Sequence, residues 1–443
     1  MGLKGGLRGG NALLLAITIL SGWMVIQALD TLLRLAWRAW QAPVLYGDSA
    51  ALIRPENHWG LSLLPWLFSQ HNEHRIVVQR LSSLLGEALL QIPPGAGGVP
   101  SNVLLLLAIA GSLAWISAQR IPHRLTAVAY WLVATLLAWN PWQWENILWE
   151  FQTPWFLISL LVLLSTAIQL QVCRKGSATP GSQLFVVCAP LVAIFSSAQG
   201  LVAAGVITFA AFVAHRRSGW LALASTVLGI VLFWALGTTA PGGSPAMGFD
   251  GRFFLALLSS SLSRGKGPLL LGCLGLVALL CGRRLLRSNR DEMLILSQPI
   301  LFAFFFAIMA TMGRSGIGME QAYVSRYASY SVLIPIGLLF MISGQISGQA
   351  SRNSWLHVVV LSVCLFLIVS PGKDQRWPRA YEKLHTRYSG RVELMRCAIL
   401  SSGQECLKGG LWPNDSPHPV FQDYFRTPDS LKGWHRRVVE RGN

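Results

Sequence analysis

The chain has 443 residues, of which 53% are hydrophobic and only 12% charged, about half the roughly 25% charged content of soluble domains. So apolar a chain is not disordered, and a soluble domain with so few charges would expose large apolar patches. The formal charge of +17 arises from 36 Lys plus Arg against 19 Asp plus Glu, yet no basic block with interleaved aromatics supports nucleic-acid binding. The charges stand singly between long apolar runs. That is the pattern of an all-α polytopic membrane protein, in which positive charge marks one side of the bilayer.

A spanning helix needs about 20 mostly apolar residues. The sequence predicts spans at residues 12–29, 101–119, 124–139, 154–172, 219–239, 267–282, 294–312, 328–346 and 355–371. Residues 184–214 are too many for one crossing and carry Ser196, Ser197, Gln199 and Gly200 near their centre. Two short helices meeting at a polar turn are expected there, which brings the total to about eleven. The first span lacks a small-residue cleavage site and reads as a retained helix, not a removed signal peptide. Lys4 and Arg8, Arg120 and Arg124, Arg174 and Lys175, Arg216 and Arg217, the group Arg283, Arg284, Arg287 and Arg290, and Arg352 fall in alternate loops. Their bias predicts a cytoplasmic N-terminus and a C-terminus outside. Residues 1–371 then form a transmembrane domain, and residues 372–443 an outer tail.

Most of the unusual polar residues fall in the outer loops. The first is large, about residues 30–100, and its LSLLPWLF run suggests helices lying in the interface. It contains Asp48, Glu56, His58 and the run His71, Asn72, Glu73, His74, Arg75. The second loop, WQWENILWEFQ, holds Trp142, Trp144, Glu145, Asn146, Trp149, Glu150 and Gln152. Gln199 marks the short-helix turn, Asp250 and Arg252 the fourth loop, and Arg314, Glu320, Arg326 and Tyr327 the fifth.

Ionisable groups at membrane depth are costly and default to a functional reading; in a hydrated loop they cost nothing. On a helix, His71, His74 and Arg75 share a face. Arg75 suits a phosphate oxygen because its planar fork donates bidentately, and Glu73 would orient it or accept a sugar hydroxyl. A solvated helix cap is the plainer alternative, and the lone HxxH spacing is weak support for a metal. Asp48 in YGDSAAL is the first choice for a general base that deprotonates an acceptor hydroxyl, with Glu56 second; Asp followed by Ser-Ala-Ala-Leu is also a good helix N-cap. Arg314 and Arg326 are placed to grip a lipid-linked phosphate at headgroup depth, although Arg and Tyr327 also snorkel routinely at interfaces. The faces of Trp144 can stack on sugars, while Asn72, Glu145, Glu150, Gln152, Gln199 and Glu320 can hydrogen-bond hydroxyls; interfacial enrichment of Trp is the competing explanation.

Cysteine spacing points to no structural metal. Cys173, Cys188, Cys273, Cys281 and Cys364 lie in or beside apolar segments as small hydrophobes. Cys397 and Cys406 fall in the polar tail, where an oxidising compartment would favour a disulfide.

The set YGD, NEHR, WENILWEFQ and GR…SRY, with a large first outer loop and about eleven spans, resembles the GT-C class of integral-membrane glycosyltransferases over residues 10–370. The resemblance implies a bacterial inner-membrane enzyme with a periplasmic active site. It implies a polyprenyl-phosphate or -pyrophosphate sugar donor and a glycan or lipid-linked acceptor. It also implies an acidic base or metal ligand at Asp48. Class members often carry an adjacent acidic pair there; this chain has Asp48 and Glu56 apart, so a divalent metal (Mg or Mn) is only an option. Contacts with membrane lipids are expected and nucleic acid is not. An envelope oligosaccharide ligase or polymerase, and a lipid-linked sugar flippase, are the alternatives.

Overall fold

The computed structural model describes residues 3–44, 47–53, 60–72, 74–90, 92, 96–237, 248–261, 271–272, 275, 290–347, 354–369 and 377–400. In chain order the helices are α1 (Leu3–Gln41), α2 (Leu63–Phe68), α3 (Val77–Leu90), α4 (Gly98–Arg120), α5 (Arg124–Ala138), α6 (Trp144–Leu148), α7 (Thr153–Lys175), α8 (Pro180–Ile194) and α9 (Gln199–Ala214). There follow α10 (Arg216–Ala235), α11 (Gly251–Leu258), α12 (Arg290–Leu296), α13 (Gln298–Arg314), α14 (Ala328–Ser331), α15 (Leu333–Ser347), α16 (Ser354–Val369) and α17 (Trp377–Leu400). The only strands among the described residues, β1 (Gln70–His71) and β2 (His74–Arg75), form one small hairpin.

The chain is an all-α membrane protein. Six segments among the described residues are long and apolar enough to cross a bilayer: Gly10–Gln41, Gly98–Arg120, Glu150–Lys175, Arg216–Ala235, Gln298–Ile317 and Ser325–Ser343. Pro180–Ile194, Gln199–Ala214 and Trp355–Phe366 are shorter apolar helices. Residues 184–214 do divide, between α8 and α9, at Phe195–Ala198. The expected span at 267–282 lies almost wholly outside the described residues. Two boundaries differ from expectation. Helix α1 runs unbroken to Gln41, so the first loop begins later than residue 30. The start of the polar tail is a 24-residue helix, α17.

Local sequence sets the helix ends. Pro154 opens α7, and Gly176 closes it in the left-handed region at φ +66, where only glycine escapes a Cβ penalty. Thr179 and His215 accept backbone N–H groups as N-caps of α8 and α10. Asp250 does the same for α11, accepting from the amides of Arg252 and Phe253. Asp250 thus has a capping role.

Helices α4 and α7 pack side by side, as do α8, α9 and α10, and α1 lies against α5 and α16. Polar side chains between helices are paired: Gln298 donates to Ser165 Oγ at 2.9 Å and accepts from Thr166 at 3.1 Å. The N-termini of α4 and α7 meet at one end of the bundle, which carries the described residues between 42 and 97 together with residues 139–152 and is called here the loop end. Their C-termini meet at the opposite end, where Arg120 and Arg174 both reach Glu292, at 2.5 and 2.8 Å. These arginines, expected to mark sidedness, therefore also fasten α4 and α7 to α12.

Candidate functional site

The segment 139–152 organises the loop end. Asn140 caps a short 3-10 turn at Pro141–Gln143, accepting from Trp142 N–H. Helix α6 follows, then a second 3-10 turn, Glu150–Gln152, leads into α7. Beneath lies an aromatic stack: the rings of Trp155 and Tyr330 are 4.5 Å apart, and Phe302 and Phe306 close on Tyr330 at 4.8 and 4.5 Å. That apolar floor fixes the loop from below.

Four of the sequence motifs meet at the second half of this loop. The turn Gly47–Leu52, which carries Asp48, packs against Glu150–Gln152. The side chain of Asp48 lies outside the described residues, as do Glu56 and Glu73. The HNEHR run is a hairpin and not a helical turn: Gln70 pairs with Arg75 and His71 with His74, with Asn72 exposed at the turn in the left-handed region, φ 50. Asn tolerates that region better than most residues. The hairpin bridges two elements. The His71 ring meets Phe151 edge-on at 5.1 Å, and His74 Nδ1 accepts from Ala198 N–H at 3.1 Å, one residue before Gln199.

Within this cluster several buried acceptors lack a donor. Glu150 is 6% exposed; Gly97 N–H hydrogen-bonds its carboxylate, but Oε2 has no partner among the described residues. Gln152 and Gln199, both buried, likewise leave Oε1 unsatisfied. A buried polar atom without a partner is uncommon and asks for an explanation. Three acceptors suit a donor-rich ligand such as a polyol. Glycine makes the approach to Glu150 possible, since a Cβ on Gly98 would overlap the Glu150 backbone.

The first half of the loop meets the SRY motif and α17. Asn146 Nδ2 donates to the Arg326 carbonyl at 2.8 Å and to Ser329 Oγ at 2.5 Å, and Glu145 N–H donates to Ser325 Oγ at 3.3 Å. Tyr327 is buried against Trp155 and Phe306. Arg326 is half-buried with its guanidinium 5.8 Å from the Tyr327 ring centroid, and among the described residues no hydrogen bond or ion pair engages that guanidinium. Trp144, expected to stack on sugar, is covered on its face by Arg387 of α17, 4.0 Å from the ring centroid. Arg314 ends α13, half-exposed, and Glu320 lies exposed on the following turn, Met319–Tyr323.

Arg75 has a different role from the one expected. It is 1% exposed. Its guanidinium donates to the carbonyls of Phe68 (2.6 Å), Phe233 (3.1 Å) and Gly237. All three nitrogens are spent on backbone, so Arg75 joins the hairpin to the C-terminal ends of α2 and α10 and offers nothing to a phosphate. Arg80, which sequence reading passed over, acts alike: it donates to Ala51, Trp66, Leu67 and Ser69 carbonyls, and burial pushes its guanidinium down to about 10. The available signal was a lone arginine inside the apolar stretch that follows HNEHR.

No group of three or more His, Cys, Asp or Glu side chains that could hold a metal occurs among the described residues. Cys397, near the end of α17, is disulfide-bonded, and Cys406 lies outside the described residues. A groove of about 670 Å³ between α9 and α13 is lined by apolar side chains including Leu201, Phe209, Phe305 and Met312; it offers no group for a hydroxyl or a phosphate. No family model matches the chain, and no curated protein or solved structure matches it either.

Proposed function

We propose that this chain is a glycosyltransferase of the bacterial inner membrane, resembling the GT-C class. It would move a sugar from a polyprenyl-phosphate or -pyrophosphate donor to an envelope glycan or lipid-linked acceptor. The loop end is then the periplasmic face. The observation that carries this reading is the packing of the Asp48 turn on the Glu150–Gln152 turn, beside buried acceptors without donors. Sugar hydroxyls would supply those donors. Asp48 would take the acceptor proton as general base, and a divalent metal there is not required by the reading. Arg326, uncommitted and half-buried, would hold the leaving phosphate and offset the charge that develops on departure. Arg75 is dropped from that role. The apolar groove between α9 and α13 has the chemistry of a surface that accepts a lipid chain.

The test is transfer in proteoliposomes with a panel of polyprenyl-phosphate sugars, followed as labelled product. Asp48→Asn and Arg326→Ala are expected to abolish transfer while leaving expression and thermal melting intact. Wild-type turnover in both variants would refute the site. Transbilayer movement of labelled lipid without covalent product would refute the chemistry in favour of a flippase, and a product ladder would identify a ligase or polymerase.

A further inference from the structure

Helix α17 does not hang from the membrane domain; it is fastened across the loop end. Tyr388 Oη donates to the Ala42 carbonyl at 2.8 Å, just past the end of α1. One turn on, Arg391 is buried and donates to the Leu148 carbonyl at 3.3 Å, with its guanidinium 5.8 Å from the Trp144 centroid. These two residues hold the helix in register over α6.

Arg387 is the third residue on that side, and it is different. Its guanidinium lies on Trp144, 4.0 Å from the centroid. Among the described residues it makes no hydrogen bond or ion pair, and it is exposed. A guanidinium resting over an aromatic ring, and bonded to nothing else, keeps N–H groups free for a planar or tetrahedral anion. The next residue after Trp144 is Glu145. Its carboxylate is close enough to attract Arg387 electrostatically, yet its Oε2 has no hydrogen-bond partner among the described residues. Arg326 is joined to the same loop through its backbone: its neighbour Ser325 accepts the Glu145 amide, and its own carbonyl accepts from Asn146. Two arginines with uncommitted guanidiniums, from segments far apart in sequence, thus adjoin the same short loop, residues 144–146.

We infer that Arg387 and Arg326 form a two-arginine site for a phosphate group at the loop end, with α17 supplying half of it. The inference rests on the reading of this site as one for a sugar phosphate carried on a lipid, but binding can be measured without turnover. Glu145 is the resident competitor: it offsets part of the positive charge when the site is empty and opposes an incoming anion. That gives the two substitutions opposite signs. Arg387→Ala and Arg326→Ala remove a charge-assisted, potentially bidentate contact of the kind that contributes about tenfold or more to an affinity. Glu145→Gln removes a repelling charge without changing shape.

The experiment uses the full chain in phosphatidylcholine nanodiscs, titrated with inorganic pyrophosphate in one arm and dodecyl phosphate in the other. Dissociation constants are measured by calorimetry, and melting temperature is recorded for each variant. Arg387→Ala and Arg326→Ala are expected to weaken binding about tenfold or more, and Glu145→Gln to tighten it about two- to fivefold. Preference for dodecyl phosphate identifies a lipid-borne phosphate; equal binding identifies a free one. Unchanged affinity in Arg387→Ala, weaker or unchanged affinity in Glu145→Gln, or no binding to wild type overturns the inference. If Arg387→Ala fails to fold, the sign of the Glu145→Gln effect decides alone. Binding with the expected signs but no sugar transfer would overturn only the transferase reading.

Discussion

Gly98 is the most direct handle on the Glu150 turn. A methyl group added there would meet the Glu150 N, Cα and Cβ atoms, more than about 1 Å inside the ~3.5 Å at which carbon atoms rest against each other. The obstacle is backbone, so no side-chain rotation relieves it. Either the start of α4 or the Glu150–Gln152 turn must move. Overpacking of this kind costs about 1–3 kcal/mol, and a displacement of about 1 Å in a reacting group costs on the order of 100-fold in rate. Gly111 in the same helix is the control, because a Cβ there meets nothing within 4 Å; Gly111→Ala should be neutral or stabilising by up to about 1 kcal/mol. Gly98→Ala is expected to lower the melting temperature in nanodiscs and to reduce sugar transfer far more than the loss of folded protein explains. Wild-type melting and turnover in Gly98→Ala would refute the idea that a glycine is needed to bring α4 onto Glu150.

Arg75→Ala would leave three carbonyl acceptors, at Phe68, Phe233 and Gly237, without their donor. At about 1–3 kcal/mol for each stranded buried group, the variant should be recovered in low yield or melt early. Arg75→Lys, with three donors but no fork, should be intermediate; unchanged melting in Arg75→Ala would contradict the clamp. At the opposite end, burial opposes ionisation of Glu292, but its hydrogen bond from Arg174 and the charges of Arg174 and Arg120 hold its carboxyl below the usual range. A depressed carboxyl contributes stability that is present above its unfolded pKa, near 4.5, and is lost as pH falls through the lower folded value. Glu292→Gln should cost about 3–5 kcal/mol at neutral pH, because Arg120 is 96% buried at its side chain and would keep an uncompensated charge. Melting followed from pH 7 to 3 should show the wild type converging on the variant; parallel curves would refute the linkage.

The sequence made the apolar helices legible because a membrane demands long uninterrupted runs, and the break between α8 and α9 was visible as four polar or small residues inside such a run. Convergence was less legible. That Asp48, HNEHR, WEFQ and the Gln199 turn would meet depends on pairings over more than a hundred residues, such as His74 with Ala198, which no local pattern encodes. The HNEHR hairpin was missed because His71, His74 and Arg75 fit helical spacing, while the discriminating cue was a single Asn able to take a positive φ. Helix α17 was missed for a related reason. Its mixed charge reads as a soluble tail, and its buried face, including Leu384, Tyr388 and Val392, is narrow.

The arginines show how much function depends on what each charge is already doing. By composition they are equivalent contributors to +17. By position six of them divide into three sets. Arg75 and Arg80 are consumed by carbonyls and hold the loop end together. Arg120 and Arg174 share one glutamate and hold the opposite end. Arg326 and Arg387 rest against aromatic rings with their N–H edges uncommitted. A buried arginine whose nitrogens all serve the backbone is preorganised for architecture, since a ligand would have to displace internal hydrogen bonds before forming its own. An arginine stacked on a ring has already lost much of its side-chain freedom and so loses less when an anion arrives. Ligand affinity should therefore follow the third set and folding stability the first two. A variant series across all six positions, scored for phosphate affinity and melting temperature together, should separate into those groups; loss of affinity without loss of stability at Arg75 or Arg120 would refute the division.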